Sequence, residues 1–232
     1  MIEIKRLVKR YSDFTLDIEN FKINKGKITA IVGENGAGKT TLLRCIMNLI
    51  RNYSGEILID GRRFTGVEKN IIDTISYMSE EQTFIQDINA REHFYIFQRL
   101  SKHWNNEKCN KLVEKLKLDD SKLVKSLSRG NKIKLGIVIA LSRMPHLVLM
   151  DEPTTAVDPI IHEIIREEII DSKINQNITF LLSSHNIEDI ENLADDLLIL
   201  KNGSITTQMN LENKKERFNL HKYIMTSLKE DT

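Results

Sequence analysis

Gly33-Glu34-Asn35-Gly36-Ala37-Gly38-Lys39-Thr40 is the stretch whose reading decides the fold. It fits G-x-x-x-x-G-K-S/T, and its flanks fit too. Upstream, residues 28–32 form a dense apolar run expected of a strand buried on both faces. Downstream, Leu43, Ile46, Met47 and Ile50 recur at i, i+3, i+4 and i+7, which buries one face of a helix. Glycines let a backbone wrap closely around phosphate, so that successive N–H groups and the helix N-terminus point at the anion. Lys39 is then placed to neutralise β- and γ-phosphates, and the Thr40 hydroxyl to meet Mg²⁺.

Working outward, the first quarter alternates in the strand manner at Ile2 and Ile4, Leu16 and Ile18, and Phe21 and Ile23, as half-exposed antiparallel strands do. Residues 55–60 read as a further strand closed by Asp60-Gly61. From Arg91 to about Leu141 the pattern is mostly helical. Strand signals return at 147–150, 178–182 and 197–200, separated by helical spacing at Ile161, Ile164, Ile165 and Ile169, and at Ile187, Ile190 and Leu193. Strands alternating with helices imply a parallel sheet. The expectation is one α/β domain over residues 1–232 with a P-loop NTPase parallel-sheet core. To this core are added an antiparallel β subdomain (about 1–30 and 55–65), an inserted helical subdomain (about 84–141) and a polar peripheral tail (about 211–232).

Composition narrows the class. The 232 residues carry 34 Lys and Arg against 33 Asp and Glu, so the charge balance gives no general attraction to nucleic acid, and no nucleic-acid partner is expected. Two cysteines, Cys45 and Cys109, do not make a disulfide framework and fit a reducing cytosol. The first eleven residues interleave charged and apolar side chains, unlike a signal peptide. The longest apolar runs fall far short of the roughly 20 residues that cross a bilayer. A role in a membrane process would therefore be performed from outside the lipid.

A second chemical feature is the strand ending in Asp151-Glu152. Asp151 there can hold Mg²⁺, while Glu152 can polarise a water attacking the γ-phosphate. Alone, such a pair is an ordinary strand end; beside a glycine loop it reads as a hydrolytic site. Ser128 stands at an N-cap position, and Asp158-Pro159 gives a second cap with proline in the first helical position.

Leu127-Ser128-Arg129-Gly130-Asn131 resembles the signature of ATP-binding-cassette ATPases, usually Leu-Ser-Gly-Gly-Gln. The resemblance runs in family order through Tyr11, the glycine loop, the signature, Asp151-Glu152-Pro153, Thr155-Ala156-Val157-Asp158 and His185. It implies two cassettes that sandwich two ATPs head to tail, the signature of one reaching the γ-phosphate held by the other. Catalytic roles then fall on Glu152 as base, His185 as the γ-phosphate switch and Lys39. Nucleotide contacts fall on Tyr11 as the adenine-stacking ring, Gly33, Glu34, Asn35, Gly36, Ala37, Gly38, Lys39, Thr40, Thr41, Ser128, Gly130 and Asp158. Metal contacts fall on Thr40, Asp151 and Glu80.

Three positions depart from the pattern. Counting back from 87–92, the family's inter-subdomain glutamine falls on Glu80, with Gln82 two residues late, and Arg129 and Asn131 replace a glycine and a glutamine of the signature. Lys132 and Glu80 together resemble cassettes of bacterial multidrug, peptide or lipid exporters. The expected protein is thus an ATP- and Mg²⁺-dependent ATPase subunit, peripheral to the cytoplasmic face of the cell membrane. It would work as a homodimer or with a paralogue, dock near residues 80–92 to separate multi-spanning permease subunits, and drive transport, export by preference. A regulatory nucleotide-binding subunit with weak turnover and a soluble relative acting on ribosomes or DNA are the alternatives at this stage.

Overall fold

The computed structural model describes residues 1–212 and 219–229. Its strands are β1 (Ile2–Arg10), β2 (Thr15–Ile23), β3 (Ile28–Val32), β4 (Ser54–Ile59), β5 (Arg62–Arg63), β6 (Ile75–Met78), β7 (Leu147–Asp151), β8 (Thr179–Ser183), β9 (Asp196–Lys201) and β10 (Ser204–Asn210). Its helices are α1 (Lys39–Ile46), α2 (Lys69–Ile72), α3 (Ala90–Leu100), α4 (Asn106–Lys115), α5 (Arg129–Ser142), α6 (Pro159–Gln176), α7 (Ile187–Leu193) and α8 (Leu220–Lys229).

Two sheets result. The first, ordered β2-β1-β4-β5, is antiparallel throughout. Two of the expected short segments, around Leu16 and Phe21, are one strand. Alternation along β2 slips at Glu19 and Asn20, opposite Arg6, which adopts a left-handed φ of 50°. The register of β1 with β4 shifts at the same place, between Lys5 and Val8, as a bulge requires. Gly55 faces that bulge, and a Cβ there would lie 2.1 Å from the Arg6 carbonyl oxygen, so only glycine fits. Asp60 and Gly61 both take positive φ and close the β4–β5 hairpin, as their sequence implies.

The second sheet runs β10-β9-β3-β8-β7-β6, with every pairing parallel except β10 on β9. Strands β3, β7 and β8 are buried at every residue, which explains why they read as continuous apolar runs. The apolar interior divides into two clusters. One, including Ile31, Leu43, Ile46, Leu149 and Leu198, lies between the two sheets; the other gathers α5, α6 and the opposite face of the parallel sheet. Helix α5 is buried almost all round, from Leu135 to Ser142. Both cysteines are buried and free, and burial pushes each thiol up to about 11.

The chain beyond Leu211 is not simply a polar tail. Leu220 and Ile224 of α8 are buried in the main core, an amphipathic packing that a largely polar stretch conceals. Residues 213–218 and 230–232 of that expected tail lie outside the described residues. Among the described residues, no helix is long and apolar enough to cross a membrane.

Candidate functional site

The glycine loop joins β3 to α1 at the C-terminal edge of the parallel sheet, where parallel sheets collect ligands. Gly36 and Gly38 hold φ of 84° and 106°, conformations costly for any other residue. At Gly33 the constraint is proximity instead, since a Cβ would lie 2.3 Å from the Leu200 carbonyl oxygen. Gly38 caps α1 with no side-chain hydrogen bond, and no acidic residue occupies the first turn, so the free N–H groups of the helix start stay available to an anion. Lys39 Nζ donates to the carbonyls of Gly33 (2.7 Å) and Glu34 (3.2 Å), spanning the loop from within. A cleft of ≈ 240 Å³ opens over this loop, lined also by Thr40, Thr41, Glu80, Asp151 and Glu152.

Adjacent strand ends supply the carboxylates. Parallel pairing sets Asp151 of β7 level with Ser183 of β8. The Ser183 hydroxyl donates to Asp151 Oδ1 at 2.6 Å and accepts from the Glu152 N–H at 3.1 Å, fixing both acids. Asp151 Oδ2 is buried without a hydrogen-bond partner, a costly arrangement that an incoming cation or donor would relieve. Glu152 takes a left-handed φ of 52°, strain of the kind found at functional positions. Its Oε2 lies 2.8 Å from His185 Nδ1, so the two residues singled out for hydrolysis meet. Nothing in the sequence around Ser183 announces its part; only the strand register does.

The signature residues sit elsewhere on the surface. Ser128 caps α5, its hydroxyl accepting from the Asn131 N–H at 3.2 Å, and Asp158 caps α6, accepting from the Ile161 N–H at 3.0 Å. Neither lines the cleft of its own chain. Gly130 is required by contact: a Cβ there would lie 2.6 Å from the Ala156 carbonyl oxygen, so the helix start packs tightly on the loop before Asp158. Glu80 lines the cleft, whereas the Gln82 side chain turns back to the Ser79 carbonyl and packs against Gly136 of α5. Of these two residues, Glu80 alone is among those lining the cleft.

Two aromatic residues, Tyr11 and Phe14, stand in the turn between β1 and β2. Tyr11 is 46% exposed and lies beneath the Lys9 ammonium, 4.8 Å from its ring centre, outside the residues that line the cleft. Phe14, which sequence reasoning passed over, is the aromatic residue in the lining, with its ring over Gly38. The two rings are 6.3 Å apart, so Tyr11 forms the outer part of one aromatic rim.

A model of the family described as "ABC transporter" matches residues 16–155, more than half of the chain. The chain is 31% identical over 222 residues to "ABC transporter ATP-binding protein YtrB" of Bacillus subtilis (strain 168), covering 94% of this chain and 75% of that protein. It is 32% identical over 225 residues to "Lantibiotic transport ATP-binding protein SrtF" of Streptococcus pyogenes, covering 94% and 96%. Its fold matches a solved structure, "Dimeric structure of a post-hydrolysis state of the ATP-binding cassette MJ0796 bound to ADP and Pi", with a TM-score of 0.80 at 21% identity, covering 91% of this chain and 99% of that one. With the family model spanning both the glycine loop and the acidic strand end, the chain belongs to the ABC transporter family, as an ATP-binding subunit and ATPase.

Proposed function

We propose that this chain, paired with a second copy or a paralogue, closes on ATP, hydrolyses it, and drives separate membrane-spanning subunits that export their cargo. The observation that carries the hydrolytic part is the 2.8 Å contact between Glu152 and His185 at the mouth of the glycine-loop cleft. Lys39 and the loop N–H groups bind the β- and γ-phosphates, with Phe14 and Tyr11 offering the aromatic rim to adenine. Glu152 takes the proton of the attacking water, and His185 orients that water against the γ-phosphate.

Among the described residues, no cluster of three or more His, Cys, Asp or Glu side chains could hold a metal alone. Magnesium bound with a nucleotide needs only one or two protein oxygens, and the unpartnered Asp151 Oδ2 beside Thr40 and Glu80 fits that demand. Bound there, Mg²⁺ would offset negative charge on the phosphates.

Ser128 and Gly130 complete the site of the opposite subunit, a reading supported by their absence from their own cleft and by the dimeric state named for the related cassette. ATP joins the pair only while its γ-phosphate is present, which gives the two states a differential affinity. We place the permease-docking surface near residues 80–92, where Ile85 is 56% exposed, and read the helical stretch 84–141 as the module that carries it. Export is favoured by the lantibiotic transport role named for the Streptococcus relative. Phosphate release by the purified chain with its co-expressed membrane neighbours tests the proposal. Release should need both ATP and Mg²⁺, stop with chelator, and accompany recovery of a multi-spanning protein; recovery of ribosomes alone would refute it.

A further inference from the structure

Glu80 and Arg129, two of the three departures from the family pattern, lie 49 residues apart in sequence yet meet in space, Arg129 Nη2 donating to Glu80 Oε1 at 3.1 Å. Glu80 simultaneously lines the cleft, where it joins Asp151 and Glu152. With Glu34 the lining holds four acidic residues, whose charges oppose binding of a polyanion, and Lys39 is its only cation among the described residues. Arg129 has the reverse problem. It is the first residue of α5, where a positive charge opposes the helix dipole, and no acidic residue stands in that first turn to balance it.

The two segments are also joined beside this pair. Lys125 Nζ donates to Asp87 at 2.8 Å, and the N–H groups of Lys125 and Val124 donate to the carbonyls of Gln86 and Ile88 at 3.1 and 3.0 Å. The start of α5 is thus fixed against residues 86–88, and Arg129 extends from a held base.

We infer that Arg129 is a positioning residue for Glu80: it neutralises and orients that carboxylate, so that an acid replaces the usual glutamine without repelling the nucleotide. The inference rests on the nucleotide-binding part of the proposed function. Only Glu80 Oε1 is engaged, which leaves the second oxygen free to face the cleft. The guanidinium thereby turns two separate departures into one charge-compensated unit. The role is in cis, distinct from any contact of the signature with the opposite subunit.

A binding cycle tests it, using the non-hydrolysable analogue AMP-PNP with Mg²⁺ and calorimetry at protein concentrations where the chain is monomeric. Arg129→Ala should weaken binding about three- to fivefold, the scale of one partly exposed ion pair. In a Glu80→Gln background, the same change should have almost no effect. Arg129→Lys should restore most of the affinity, because the charge matters more than the fork. An equal loss in both backgrounds, or no loss with Glu80 present, overturns the inference. A wild-type chain that binds no nucleotide overturns the function beneath it instead. Both side chains are about half exposed, so the variants fold, and unchanged melting temperatures in the same samples verify this.

Discussion

Glu152→Gln should retain ATP binding while losing turnover by about 10²–10⁴-fold, the usual contribution of a positioned general base. The substitution keeps the volume and removes the charge that accepts the proton. It also alters the 2.8 Å contact with His185, so the water loses both its base and its oriented neighbour. Bound ATP would then persist, and the ATP-bound dimer should accumulate in light scattering. Turnover at the wild-type rate would remove Glu152 as the base. The left-handed backbone at this residue makes the exchange a clean one, since glutamine meets the same backbone cost as glutamate.

The second large effect is on stability and arises far from the nucleotide. Glu168 of α6 is 2% exposed and binds Lys108 Nζ at 2.8 Å; Lys108 is itself only 8% exposed, and Lys115 binds the other carboxylate oxygen. This buried group clamps α4 to α6. Glu168→Gln leaves the buried Lys108 ammonium only the half-exposed Asp171 carboxylate, 3.8 Å away, as a counter-charge, which costs about 3 kcal/mol. In a chain of this size, that lowers the melting temperature by roughly 10 °C.

The pH dependence follows from the direction of the Glu168 shift. Burial, the largest single influence, raises its pKa, but hydrogen bonds from Lys108 and Lys115 and their charges together bring it below the ordinary 4.5. A folded pKa below the unfolded one means the contribution is complete above pH 4.5 and disappears as the pH falls through the folded value. Melting curves of wild type and Glu168→Gln should therefore lie far apart at neutral pH and converge in acid. A gap that stays constant across that range would refute the ion-pair account.

Much of the site was legible because its motifs are local. The glycine loop, Asp151-Glu152 and the caps at Ser128 and Asp158 each follow from a few adjacent residues whose backbone needs are severe. What escaped detection depends on tertiary contact. Strand β6 is only Ile-Ser-Tyr-Met, too short to show a period; its pairing with β7 and the hydrogen bond from Ser76 to the Ala140 carbonyl supply its definition. Ser183 looks like any polar residue closing a strand until register sets it beside Asp151. Phe14 joins the cleft lining because its ring reaches Gly38 across the turn after β1, a tertiary contact that the local sequence does not announce. The Glu80–Arg129 and Lys108–Glu168 pairs join residues 49 and 60 positions apart, beyond any sequence window. Helix α8 was hidden by the polar residues around Leu220 and Ile224.

The central claim is that each working site is shared, with Lys39 from one subunit and Ser128 from the other. It is tested most directly by mixing two separately inactive variants, Lys39→Ala and Ser128→Arg, and measuring phosphate release. In a mixed dimer, one site carries both lesions while the other is intact, so the account predicts that activity returns on mixing. A mixture that exchanges subunits yet stays as inactive as its components would contradict it.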